Sequence, residues 1–171
     1  MESIFFYAFG AIAVASGLMV VINRNPVHSA LFLIVTLFCI AGLFVLLNAH
    51  FLAVIQVLVY AGAIMVLFLF VIMLLNLKAA AGEFEKLLTL KIMGVGAAIF
   101  LLFEVLYLIS RGSSLGLSGT AAPELIAREG NTKLVGELLF TDYLLPFEIT
   151  SVLLIVAIIG AVVLAKRKLE E

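Results

Sequence analysis

The chain has 171 residues, 65% of them hydrophobic and 12% charged, with a mean hydropathy of +1.34. Soluble domains run nearer half apolar and a quarter charged, so a water-soluble globule is excluded and lipid is the predicted solvent. The formal net charge of -1 argues against a nucleic-acid partner, because phosphate binding needs clustered cations.

Five apolar runs are long enough to cross about 30 Å of hydrocarbon at 1.5 Å per residue. They cover 4–22, 26–47, 51–77, 90–110 and 145–165. A spanning segment must satisfy its own backbone hydrogen bonds. The predicted fold class is therefore an all-α integral membrane protein, with five transmembrane helices in a single membrane domain over 1–171. The first run sits where a signal peptide would. However, Met1, Glu2 and Ser3 give it no basic flank, and the run is too long for a signal core. It reads as a retained helix.

The connections in chain order are equally informative. In "NRNP" (23–26), Asn25 is a predicted N-cap and Pro26 the first helical residue, where a missing N–H costs nothing. "LNAH" (47–50) is so short that the second and third helices must be antiparallel neighbours. Cys39 is the single cysteine, which excludes an internal disulfide and a Cys-rich metal or iron–sulfur site; it reads as a small buried hydrophobe. The segment 111–144 is a long loop between the fourth and fifth helices, rich in Gly, Ser and Thr, with one short surface helix expected at 124–128. No metal-ligand or nucleophile spacing occurs in it, and the chain has no internal repeat.

Five crossings put Arg24, Lys78, Lys86, Lys91, Lys166, Arg167 and Lys168 on one side, seven cations, against Arg111, Arg128 and Lys133 on the other. Positive residues mark the cytoplasm. The expected topology is N-terminus outside, C-terminus cytoplasmic, and the 111–144 loop extracytoplasmic.

Polar residues at membrane depth are costly and need a reason. The stretch "QVLVYAGAIMVLFLFVIMLL" (56–75) has only two hydrogen-bonding side chains, Gln56 and Tyr60, just ahead of Ala61, Gly62 and Ala63. Gln56 and Tyr60 are four apart and are expected to share a face with Ala53 and Ala63. Glu104 should face protein or a hydrated cavity, either as a structural partner for a neighbouring group or as a proton carrier. Glu148 follows Pro146 and reads as a carboxylate in a first helical turn, favoured by the helix dipole. His28 and His50 fall on opposite sides of the membrane, too far apart to share a metal. Ala13 and Gly17, and Ala157, Ala161 and Ala165, recur at a four-residue spacing that permits close helix packing. Five helices enclose little interior, so several faces are expected to meet other chains. The residues alone predict a subunit of a membrane assembly, with no catalytic, cofactor or metal site of its own.

At "NPVHSALFLIV" (25–35) and "QVLVYAGAIMVLFLFVIMLLNL" (56–77) a specific resemblance emerges. Together these stretches resemble subunit J of the proton-pumping NADH–quinone oxidoreductase, respiratory complex I, whose mitochondrial counterpart is its sixth membrane-encoded subunit. The likeness covers the first three helices closely. "FEITSVLLIVAIIGAVVLAKR" (147–167) also resembles the family's last helix, whereas the fourth helix and the loop match only in position and character. One departure is Gln56, where the resemblance leads to an expected glutamate in some bacterial relatives. A position that accepts glutamine is not an obligatory titrating group.

The resemblance implies a non-redox subunit of the membrane arm, in a bacterial cytoplasmic (inner) membrane. Its partners would be the quinone-proximal and antiporter-like subunits and the lipid bilayer. FMN, iron–sulfur clusters and quinone would belong to other subunits. It also implies a π-bulge in the third helix near Tyr60, with changes between conformational states. The implied gating residues are Gln56, Tyr60, Gly62, Met65 and Phe68, and inserting one residue into a turn would rotate everything beyond it by about 100°. The alternative role for Tyr60 is a static helix contact. Two other functions are weighed: an accessory chain of a multisubunit cation/proton antiporter, and a self-sufficient small transporter. The latter needs a broken helix pair or paired intramembrane charges, and the sequence has neither.

Overall fold

A computed structural model describes residues 1–75, 88–112 and 123–166. Every element among them is helical. They are α1 (Glu2–Ile22), α2 (Pro26–Leu46), α3 (His50–Leu74), α4 (Leu88–Gly112), α5 (Pro123–Glu129), α6 (Asn131–Phe140) and α7 (Leu144–Ala165). Five helices are long and apolar enough to cross a membrane: α1, α2, α3, Met93–Arg111 within α4, and α7. The predicted end of the third helix at Leu77, and the cations Lys78, Lys86, Arg167 and Lys168, lie outside the described residues. Within them α3 stops at Leu74, because Leu75 turns extended at ψ 112.

The turn between α1 and α2 shows how a polar tetrapeptide closes two apolar helices. Asn25 Oδ1 accepts a hydrogen bond from Val27 N–H at 3.0 Å, and Pro26 occupies the first helical position. Such a cap contributes about 1 kcal/mol. Ser29 Oγ donates to the carbonyl of Val20 at 2.8 Å. That carbonyl is one of the four that end α1 without a helical partner, so the start of α2 satisfies the end of α1.

The α2–α3 turn uses another device. Asn48 adopts φ 56, Asn48 N–H bonds the carbonyl of Val45 at 3.0 Å, and Ala49 N–H bonds that of Phe44 at 2.9 Å. This is a Schellman ending, with asparagine in the left-handed position usually held by glycine. It reverses the chain within three residues and sets α3 directly against α2.

The α1–α2 interface is held at small and hydroxylic residues. Ser16 is buried, and its hydroxyl lies 2.8 Å from that of Thr36 across the interface. An added Cβ on Gly42 would sit 3.0 Å from the Phe9 ring, so the missing side chain is what lets that ring lie on the α2 backbone. At Gly17 nothing of this chain lies within 4 Å of a Cβ built there, which leaves that small face open. Four-residue spacing identifies a smooth face, but the neighbour decides which smooth face is used.

The segment 111–144 also departs from a long loop. α5 extends the expected short helix at 124–128, and α6 adds ten residues of helix. α6 packs against the first turns of α3. Its Leu134, Val135 and Leu139 are partly buried while Lys133 and Glu137 stay exposed, an amphipathic pattern suited to a membrane surface. In contrast, α7 has no buried residue, and neither has the apolar window of Met93–Arg111. Ala157, Ala161 and Ala165 are all exposed.

Candidate functional site: a π-helical segment in the third span

α3 is a continuous rod with a different winding in its middle. It is α-helical over His50–Ile55, π-helical over Gln56–Ile64 and α-helical again over Met65–Leu74. At the exit, Met65 N–H still bonds the carbonyl of Tyr60, five residues back. Most π-helical pieces in proteins are single-turn bulges; nine residues is a longer stretch.

Burial along α3 shows what this winding accomplishes. The residues buried are Ala53, Ala61, Met65 and Ile72. In an unbroken α-helix, Ala53 and Ala61 are eight positions apart and point about 80° away from each other. Taking one residue out of that count brings them within about 20°. From Ala61 onward the steps of four and seven are those of an ordinary α-helical face. The π segment therefore places two small side chains together against α2, which contacts all three parts of α3. Without it, the positions seven, eleven and eighteen beyond Ala53 would take that face, which are Tyr60, Ile64 and Val71.

The individual residues follow from this register. Ala61 is 4% exposed and its neighbour Tyr60 is 49% exposed. Gln56 is partly buried and Ala63 exposed. The expected common face of Ala53, Gln56, Tyr60 and Ala63 is not formed, because the wider turn separates residues four apart. Among the described residues, neither the Tyr60 hydroxyl nor the Gln56 amide makes a hydrogen bond. Gly62 is partly buried, and a Cβ there would lie 3.1 Å from the carbonyl oxygen of Val57. Met65 belongs to the core with Ala30 and Ile72, packed among Val27, Leu33, Ile34, Leu37 and Leu69. Phe68 is half-exposed and lines a cavity of about 310 Å³ beside Arg24 and Ser29, which Met65 does not line.

Residues 16–164 match the family model described as NADH-ubiquinone/plastoquinone oxidoreductase chain 6. The chain belongs to this family. It is 39% identical to NADH-quinone oxidoreductase subunit J of Rhodobacter capsulatus, with 95% of this chain and 80% of that protein covered. Identity to the Escherichia coli (strain K12) subunit J is 38%, covering 91% and 82%. To NADH-ubiquinone oxidoreductase chain 6 of Marchantia polymorpha it is 39%, covering 96% and 87%. Membership makes the chain a multi-pass membrane subunit of the oxidoreductase, with other subunits of that enzyme as partners.

The two carboxylates on the apolar helices α4 and α7 stand apart from the π segment. Glu104 is exposed on α4, with no hydrogen bond or ion pair to another described residue. Glu148 is exposed as well. The first-turn reading of Glu148 needs correction: α7 begins at Leu144, so its first turn holds no acidic residue. Pro146 sits inside the helix start, and Glu148 falls in the second turn, where the dipole acts more weakly. His28 opens α2 and His50 opens α3, and both are exposed.

Two residues of this region have parts that the sequence did not assign. Ala61 carries the close contact with α2, although its spacing from Ala53 fits no α-helical face. Asn131, the first residue of α6, accepts a hydrogen bond through Oδ1 from Phe51 N–H at 3.1 Å. No periodic signal links positions eighty residues apart. On the same loop Lys133 bonds Glu129 and lies 3.9 Å from Glu137. The Glu129 hydrogen bond, then the charges of Glu129 and Glu137, hold the Lys133 ammonium above its ordinary range.

Proposed function

We propose that this chain is a non-redox membrane-arm subunit that couples quinone reduction, performed elsewhere in the complex, to proton translocation through a change of register in α3. The observation that carries the reading is the π segment at Gln56–Ile64. It keeps Ala61, Met65 and Ile72 on α2 and leaves Tyr60 half-exposed. Closing it to α-helix turns one half of α3 against the other by about 100°. Tyr60, Ile64 and Val71 then replace Ala61, Met65 and Ile72 on α2. Met65 and Phe68 move together to a new side, opening or closing a hydrated route past them.

Each winding pairs nearly every N–H of the segment, five residues back in one and four in the other, so both are tolerable in lipid. The carbonyl left over at a junction needs a donor, and the Gln56 amide, the Tyr60 phenol or a water is at hand. Gly62 lowers the steric cost of the tight approach to Val57. FMN, iron–sulfur clusters and quinone reside in other subunits, and the neighbours of this one are the quinone-proximal and antiporter-like subunits. The membrane is the bacterial cytoplasmic membrane, with the N-terminus outside. The seven-to-three cation asymmetry supports that orientation.

The test is Gly62→Val in the assembled oxidoreductase. A branched side chain meets the Val57 carbonyl in the π register and should bias the helix toward one winding. The complex should assemble yet lose proton pumping or quinone turnover. Full assembly with full pumping would mean that α3 is a static strut.

A further inference from the structure

We infer that Asn131 is a positioning residue: a helix cap lent by α6 that fixes the start of α3, so that the π segment changes register by moving the other half, Met65–Leu74. This rests on the register reading above. The first turn of α3 lacks a cap of its own. Ala49 occupies the N-cap position, and its side chain offers no acceptor. Its carbonyl takes the first helical hydrogen bond, from Ala53 N–H at 3.0 Å. Phe51 N–H is then one of the donors that a helix start leaves unpaired. Asn131 Oδ1 takes it from eighty residues away, at 3.1 Å.

The bond makes the two ends of α3 unequal. The His50–Ile55 end is held by the Schellman turn at Asn48, by buried Ala53 against α2 and by the Asn131 bond. The Met65–Leu74 end meets α2 through Met65, Ile72 and Leu69, side chains that can slide and repack. Among the described residues it has no hydrogen bond to another element. A twist generated between these ends is taken up where the contacts are apolar, because rotating the other end would strip the part-buried Phe51 N–H of its acceptor. The 131–140 helix is thereby mechanically joined to the π segment, and a partner that pulled on the loop would act on the register.

The experiment compares Asn131→Ala, Asn131→Ser and Asn131→Asp in the assembled complex in native membranes. Amide hydrogen exchange is read on the peptide containing Phe51, and proton yield per electron pair is read beside turnover. Asn131→Ala should speed exchange at the start of α3 by about five- to thirty-fold, the effect of losing a cap acceptor. It should also lower proton yield more than turnover. Asn131→Asp, which keeps the acceptor, should restore both, and Asn131→Ser should restore them in part. A purely structural role would lower assembled enzyme, turnover and pumping in proportion, and that result would overturn the inference. Unchanged exchange in Asn131→Ala would overturn it too. Faster exchange with unaltered proton yield leaves the cap but removes its positioning role. Running Gly62→Val alongside separates the two readings: if that variant pumps fully, the register gate itself has failed.

Discussion

Ala61→Leu probes the register directly. In the π winding, position 61 is 4% exposed on the α2 face, and leucine brings three more carbons into it. Overpacking a well-filled contact costs about 1–3 kcal/mol, equivalent to a shift of roughly 5- to 150-fold between two windings. In the α winding the same side chain points about 80° off that face, and the cost is relieved. The variant should therefore move the population toward the α register, drawing Tyr60 onto α2. Disulfide trapping reads this in the assembled complex, on a Cys39→Ala background. Ala30 and Met65 share the core cluster, so Ala30→Cys with Met65→Cys should cross-link readily in the parent chain and poorly with Ala61→Leu. Ala30→Cys with Ile64→Cys should show the opposite trend. Proton yield should fall along with the loss of the Met65 cross-link. If both pairs trap at the parent rates and the complex pumps normally, the two-register account is wrong.

Tyr60→Phe removes one hydroxyl, at a cost of about 1 kcal/mol where it donates to a carbonyl freed at a junction, so turnover should drop less than in Gly62→Val, with apparent quinone affinity changing less than turnover in steady-state assays. Topology is tested by an impermeant thiol reagent on intact cells: Thr132→Cys should react and Lys166→Cys should not, and the reverse pattern would invert the orientation. Lys133 has a raised pKa because Glu129 accepts its hydrogen bond. A raised folded-state pKa means that any stabilisation is complete below the ordinary value of 10.5 and is lost only as pH rises through the folded one. The pair is exposed and of little net strength, so Lys133→Met should assemble and turn over like the parent near neutral pH; a marked loss would give Lys133 a role beyond this pair.

Much of the architecture was fixed by the sequence because lipid leaves the backbone few options. Hydrophobic runs of this length must be helices, and Asn25-Pro26 and "LNAH" carry their turn geometry in adjacent residues. The family was legible from "NPVHSALFLIV" and the "YAGAIMVLF" helix, since these stretches carry side chains in a particular order rather than a general periodicity. Tertiary structure decided the rest. Spacing marks small residues such as Gly17, but not that Phe9 lies on Gly42, because a close contact depends on where a neighbour's side chain arrives. Ala61 falls off any α-helical face shared with Ala53 and becomes buried only through the wider π turn. Asn131 reaches Phe51 because α6 folds back over the start of α3. Local sequence specifies winding and caps over a few residues, whereas the choice of face and of distant acceptor depends on which helix lies opposite.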